Sequence, residues 1–134
     1  MRSIPTGVAS GAISDLVAMS PLDVGQLAWR GVPNCSGVYA RELSHRTGAT
    51  VALVRYAPLA STPGRPHPTA EHHIWVLSGV AVFGGRRLVS GSYVFIAAGV
   101  EHPITATATG CTLLQIHLPI GSSATPAVAV PTAA

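Results

Sequence analysis

From Gln26 onward the chain is a succession of short apolar runs broken by glycine and proline. The runs are "QLAWRGV", "VYARELSHR", "ATVALVRYA", "HHIWVLSG", "VAVFG", "RLVSG", "SYVFIAA", "HPITATA" and "CTLLQIHL". They are rich in Val, Ile, Thr, Tyr and Phe, and Gly or Pro stands at nearly every junction, which predicts strands joined by tight turns. "VAVFGGRRLV" predicts a hairpin, because Gly84–Gly85 supply the positive φ angles of a two-residue turn. Gly110 after Thr109 predicts a second hairpin turn, between "HPITATA" and "CTLLQIHL". No segment after residue 22 keeps a helical period. The pattern predicts an all-β sandwich or barrel.

The ends differ from this body. Residues 1–22 are small and weakly patterned, an N-terminal arm with a short helix expected near Ser14–Met19. The barrel is expected over 23–119. The segment 120–134, "GSSATPAVAVPTAA" after Ile120, is rich in Ala, Pro, Ser and Thr and reads as a flexible tail.

Composition narrows the function. With 134 residues, 48% apolar and 10% charged, the chain is one domain with material for a sizeable core. The net charge of +3 comes from scattered arginines without lysine, and aromatics are few. Nucleic-acid binding, which wants a basic stripe interleaved with aromatics, is not expected. No apolar run reaches membrane-spanning length, and the N-terminus lacks the continuous apolar stretch of a signal peptide. The expectation is a soluble cytoplasmic protein without a membrane partner. Cys35 and Cys111 have no ligand-type spacing and are expected as buried reduced thiols.

Chemistry concentrates in "RPHPTAEHHIWVLSGV". Pro68 forces His67 into an extended conformation at a strand end. Strand alternation puts His72, Ile74 and Val76 on one face and Glu71, His73, Trp75 and Leu77 on the other. Both faces are apolar beyond residue 73, so both are expected to be covered. An inward histidine then needs a hydrogen bond or a metal. In the second predicted hairpin, His102 and His117 would lie opposite one another.

These residues resemble the cupin family over roughly Val51 to Leu118. "WVLSG" stands where cupins have a strand ending in a turn glycine, Gly79, and His72 falls where their glutamate stands. Gly91, Ala97 (in place of proline), Gly99 and His102 follow the spacing of the second cupin motif. The paired histidines of the first motif are reduced to His67-Pro68-Thr69. The lead-in "GVYARELSHRTGATVALVRYAP" is similar to small cupins related to anti-sigma-factor sensor domains. The resemblance implies a single-domain jelly-roll barrel, a homodimer, and a divalent transition metal (Fe, Zn, Ni, Cu or Mn) on His67, His72 and His102; the hairpin pairing with His102 adds His117 as a fourth candidate ligand. The resemblance implies an enzyme acting on a small, largely apolar organic molecule, by oxygenase chemistry or by a cyclase, isomerase or lyase step. The alternatives are a metal or ligand sensor and a binding module without metal. Val51, Leu53, Val76, Phe83, Phe95 and Ile104 are expected to line the interior. No catalytic residue is assigned, although Glu71, His73 or Glu101 would serve as a general base.

Overall fold

A computed structural model describes residues 18–64 and 66–120. The described chain starts with a five-residue helix, α1 (Pro21–Gly25). Ser20 caps it: the Asp23 amide donates to Ser20 Oγ at 3.1 Å and the Ser20 amide donates to Asp23 Oδ2 at 3.0 Å, a capping box with proline in the first turn. α1 thus spans residue 22. The helix expected near Ser14–Met19 falls mostly outside the described residues, and residues 18–20 are irregular. The tail beyond Ile120 lies outside them as well.

Eight strands follow: β1 (Arg30–Gly31), β2 (Val38–Arg46), β3 (Ala49–Tyr56), β4 (Ser61–Thr62), β5 (Ala70–Phe83), β6 (Arg86–Val89), β7 (Tyr93–Ile96) and β8 (Ile104–Pro119). The all-β expectation holds. The strands are antiparallel in the order β1-β2-β3-β8-β5-β6, with β4 on β8 and β7 on β5. The Gly84–Gly85 hairpin forms as predicted, with φ of +54° and +86° and Phe83 opposite Arg86.

Two expected breaks are not turns. "HHIWVLSG" and "VAVFG" are one strand, β5, and "HPITATA" and "CTLLQIHL" are one strand, β8. The two run antiparallel along nearly their whole length, from Ala70↔Pro119 to Phe83↔Ile104. Gly79 (φ +77°) and Gly110 (φ +72°) are irregularities inside this ladder, and the register shifts between Gly79 and Ala81. Glycine is needed because the backbones nearly touch. A Cβ on Gly79 would sit 2.1 Å from the Gly110 carbonyl oxygen, and one on Gly110 would sit 2.7 Å from that of Tyr56. The strands bend here without ending.

Val38, Val54, Ile74, Val76, Phe83, Ile104 and Leu113 fill the core. Tyr56 is also buried there, and its hydroxyl meets Thr62 Oγ1 at 2.9 Å, which satisfies the polar tip. Burial pushes the Tyr56 phenol up to about 12. Of the expected interior residues, Val76, Phe83 and Ile104 are buried. Phe95 is 42% exposed, a correction. Val51 and Leu53 pair with Ile116 and Leu114 on the outer face and are only half-buried, because Ala52 and Val54 take the inward phase of β3. The expectation that both faces of β5 are covered also fails, with Trp75 48% and Leu77 44% exposed.

The segment after α1 is tied to the outer face of β2 and β3. Arg41 Nε donates to the Leu27 carbonyl at 3.0 Å, and the Trp29 ring has the Arg41 and Arg55 guanidinium groups each 4.3 Å from its centre. Both cysteines are free thiols, Cys111 buried and Cys35 only partly so. Burial raises the Cys111 thiol to about 11, so it stays protonated.

Candidate metal centre

Four imidazoles meet at one end of the barrel interior. His72 comes from β5, directly opposite His117 of β8 in the ladder. The sequence reading placed His102 opposite His117. With no hairpin at Gly110, β8 runs straight through, and His117 faces His72 instead. Opposed residues of an antiparallel pair share a face. Here His117 Nδ1 and His72 Nε2 are 3.0 Å apart.

His67 and His102 come from the two loops before β5 and β8. The His67 carbonyl accepts from the Gly99 amide at 2.9 Å, which ties its loop to the turn after β7. The His102 amide donates to the Gly64 carbonyl at 2.9 Å. Gly64 (φ +68°) lets this happen, since a Cβ there would lie 2.1 Å from the His102 carbonyl. The His67 ring centre is 4.7 Å from that of His72 and 5.6 Å from those of His102 and His117. His102 is 5.1 Å from His72. The tightest donor set is His67, His72 and His117, with one ring nitrogen of each within 4.8 Å of the others. His102 sits beside it, its Nδ1 3.2 Å from the Val100 carbonyl, which leaves Nε2 for the cluster.

The donor chemistry suits a transition metal. His72 is 3% exposed. Burial first, then His102, His67, His117 and His73, lowers it to about 4, so at neutral pH it is an uncharged lone-pair donor. His67 is lowered as well, by burial and by His102 and His117. Metal-bound imidazole nitrogens lie at about 2.0–2.1 Å. Two of them on adjacent positions of one ion stand roughly 3 Å apart, the spacing His72 and His117 already have.

The phase of β5 is as expected: His72 points in and His73 points out. His73 lies between Tyr93, with Nδ1 2.6 Å from the phenolic oxygen, and Glu71, with Nε2 3.2 Å from the carboxylate. Glu71 therefore does not turn inward to replace the family glutamate. Glu71 and His73 are on the wrong face to act as a base at this cluster, and Glu101 is exposed. The sequence reading missed Gln115, which the alternation of β8 puts on the His117 face. It also missed Thr50, opposite His117, a pairing that no local signal reveals.

The model of the ChrR cupin-like domain family matches residues 18–121. KdgF from Halomonas sp. is similar in structure at TM-score 0.62 and 18% identity, covering 74% of this chain and 94% of that one. A "predicted oxalate decarboxylase" from Thermotoga maritima aligns at TM-score 0.65 and 20% identity, over 72% of this chain and 96% of its own. The polyketide cyclase RemF from Streptomyces resistomycificus aligns at 0.63 and 22%, over 75% and 80%. At these identities the likeness carries the fold, a cupin jelly roll. No curated protein matches by sequence.

Proposed function

Because the chain belongs to the ChrR cupin-like family, we propose that it is a metal-dependent cupin enzyme that binds a small organic molecule over a histidine-only centre. The observation that carries this reading is the convergence of His67, His72 and His117 donors within 4.8 Å, with His102 alongside. A divalent ion held there would supply Lewis-acid chemistry, polarising an oxygen of the bound molecule. The chain's own part is to hold the imidazoles in place. Burial keeps His72 unprotonated, the Val100 carbonyl fixes one tautomer of His102, and buried Ile74 and Ile96 exclude water from one side. The structural likeness to a polyketide cyclase supports a cyclase-type or other non-oxidative step as readily as an oxygenase step.

Metal analysis of protein purified without chelator tests the proposal. About one equivalent of a transition metal, lost on His72→Ala, supports it, and well under one equivalent in the unaltered protein overturns it. A second reading, a metal- or ligand-sensing module without turnover, rests on the resemblance of the lead-in strands to small cupins related to anti-sigma-factor sensor domains. It gains ground if metal binds and no substrate is turned over.

The proposal includes a second copy as partner. Trp75, Leu77, Tyr93 and Phe95 form an exposed apolar patch on the outer face of β5 and β7. Analytical ultracentrifugation should show a dimer that Trp75→Glu dissociates. A monomer at all concentrations overturns that part. Among the described residues no helix is long and apolar enough to cross a membrane, and the proposed setting is the cytoplasm.

A further inference from the structure

A separate cleft opens on the outer side of the sheet, away from the imidazoles. Its volume is about 390 Å³, within the range of small-molecule sites. Tyr39, Arg55, Thr112 and Ser78 line one wall. In the ladders Tyr39 stands opposite Arg55, Arg55 opposite Thr112, and Thr112 opposite Ser78. Directly opposed residues share a face, so a phenol ring, a guanidinium and two hydroxyls form one row across β2, β3, β8 and β5. Val54 and Tyr56, on either side of Arg55, take the inner face. Thr112 and His117 are an odd number of positions apart on β8, so they face opposite sides, roughly 17 Å apart along the strand.

The cleft exists because β5 shifts register twice, on either side of Ser78 and Gly79, and bends there. The Arg55 side chain is held in place. Its guanidinium lies 4.3 Å from the centre of the Trp29 ring and 5.5 Å from that of Tyr39. Contact with ring faces uses none of its N–H donors. Arg41 also lies on Trp29, but its Nε donates to the Leu27 carbonyl.

The lining carries one charge, and it is positive. No carboxylate stands among its described residues. Tyr56 and Cys111, the lining groups able to become anions there, are pushed by burial to about 12 and about 11 and stay protonated. Ala57 and Pro58 add an apolar side. A guanidinium fork matches a carboxylate with two parallel hydrogen bonds, and a single guanidinium balances a single negative charge.

We propose that this cleft is a second binding site, independent of the metal centre, for a small organic monocarboxylate. The carboxylate takes N–H donors of Arg55 and the hydroxyls of Thr112 and Ser78. The apolar body lies against the Tyr39 ring and Pro58.

Calorimetric titration of the full chain with benzoate, benzyl alcohol and inorganic phosphate tests it. Benzoate is expected to bind saturably, with the alcohol and phosphate each at least about tenfold weaker. Arg55→Gln should weaken benzoate by about tenfold or more. Arg55→Lys, which keeps the charge but not the fork, and Thr112→Val should each weaken it severalfold. A carboxylate also ligates metals, so His72→Ala and chelator-treated protein are titrated in parallel, and both should bind benzoate as the unaltered protein does. No saturable binding, equal affinity for the alcohol, tighter binding of phosphate, or affinity unchanged in both Arg55→Lys and Thr112→Val overturns the proposal. So does benzoate binding that is lost in His72→Ala or on chelation.

Discussion

His117 Nδ1 lies 3.0 Å from His72 Nε2 across the β5–β8 ladder, with no intervening residue. Two imidazoles at that distance can share one proton in a hydrogen bond or turn both lone pairs to one cation. The second arrangement needs no movement of either strand.

That contact makes the centre sensitive to which neighbour is removed. His72→Ala or His117→Ala should lower metal content by well over half, whereas His73→Ala should leave it unchanged, since His73 faces outward to Tyr93 and Glu71. Elemental analysis of the three variants decides it. An effect of His73→Ala larger than that of His72→Ala would reverse the assigned phase of β5.

The metal-free protein should lose stability in acid over a defined window. His72 titrates near 4 when folded and near 6.5 when exposed. Between these values the unfolded chain holds the extra proton, so unfolding free energy falls as pH drops from about 6.5 to about 4, by on the order of 3 kcal/mol. This contribution is fully present above 6.5 and gone below 4. Urea unfolding at several pH values measures it. In His72→Leu this part of the slope should vanish.

The backbone contact between β5 and β8 should tolerate no side chain. Gly79→Ala would place a Cβ 2.1 Å from the Gly110 carbonyl at a φ of +77°. We expect a loss of at least about 2 kcal/mol in chemical denaturation. Gly85→Ala, with φ +86° but nothing within 4 Å of the new Cβ, should cost about 1 kcal/mol.

Adjacent residues of β5 should differ sharply. Ile74 is 1% exposed and Trp75 48%. Ile74→Ala should cost roughly 2–5 kcal/mol, and Trp75→Ala, despite deleting more atoms, under about 1 kcal/mol in dilute monomer. Equal costs would mean that the outer face of β5 is covered.

Much of this was readable in the chain. The strands, the Gly84–Gly85 turn and the inward phase of His72 follow from alternation and turn chemistry, which are local. The convergence of His67, His72, His102 and His117 was also anticipated, although through the wrong pair. Gly110 reads locally as a turn, because positive φ is common to turns and bulges. Only the partner strand shows that β8 continues and that the glycine serves a close backbone approach. Phe95 and Trp75 look like core by composition, yet their phase on β7 and β5 turns them outward.

The sequence by itself determined the period-two face of each strand, and hence which histidine of the adjacent pair turns inward. Register between distant strands is set by long-range backbone pairing, and so only the tertiary structure decided that His117 meets His72. By the same route it decided that the glutamate beside His72 is spent on the opposite face.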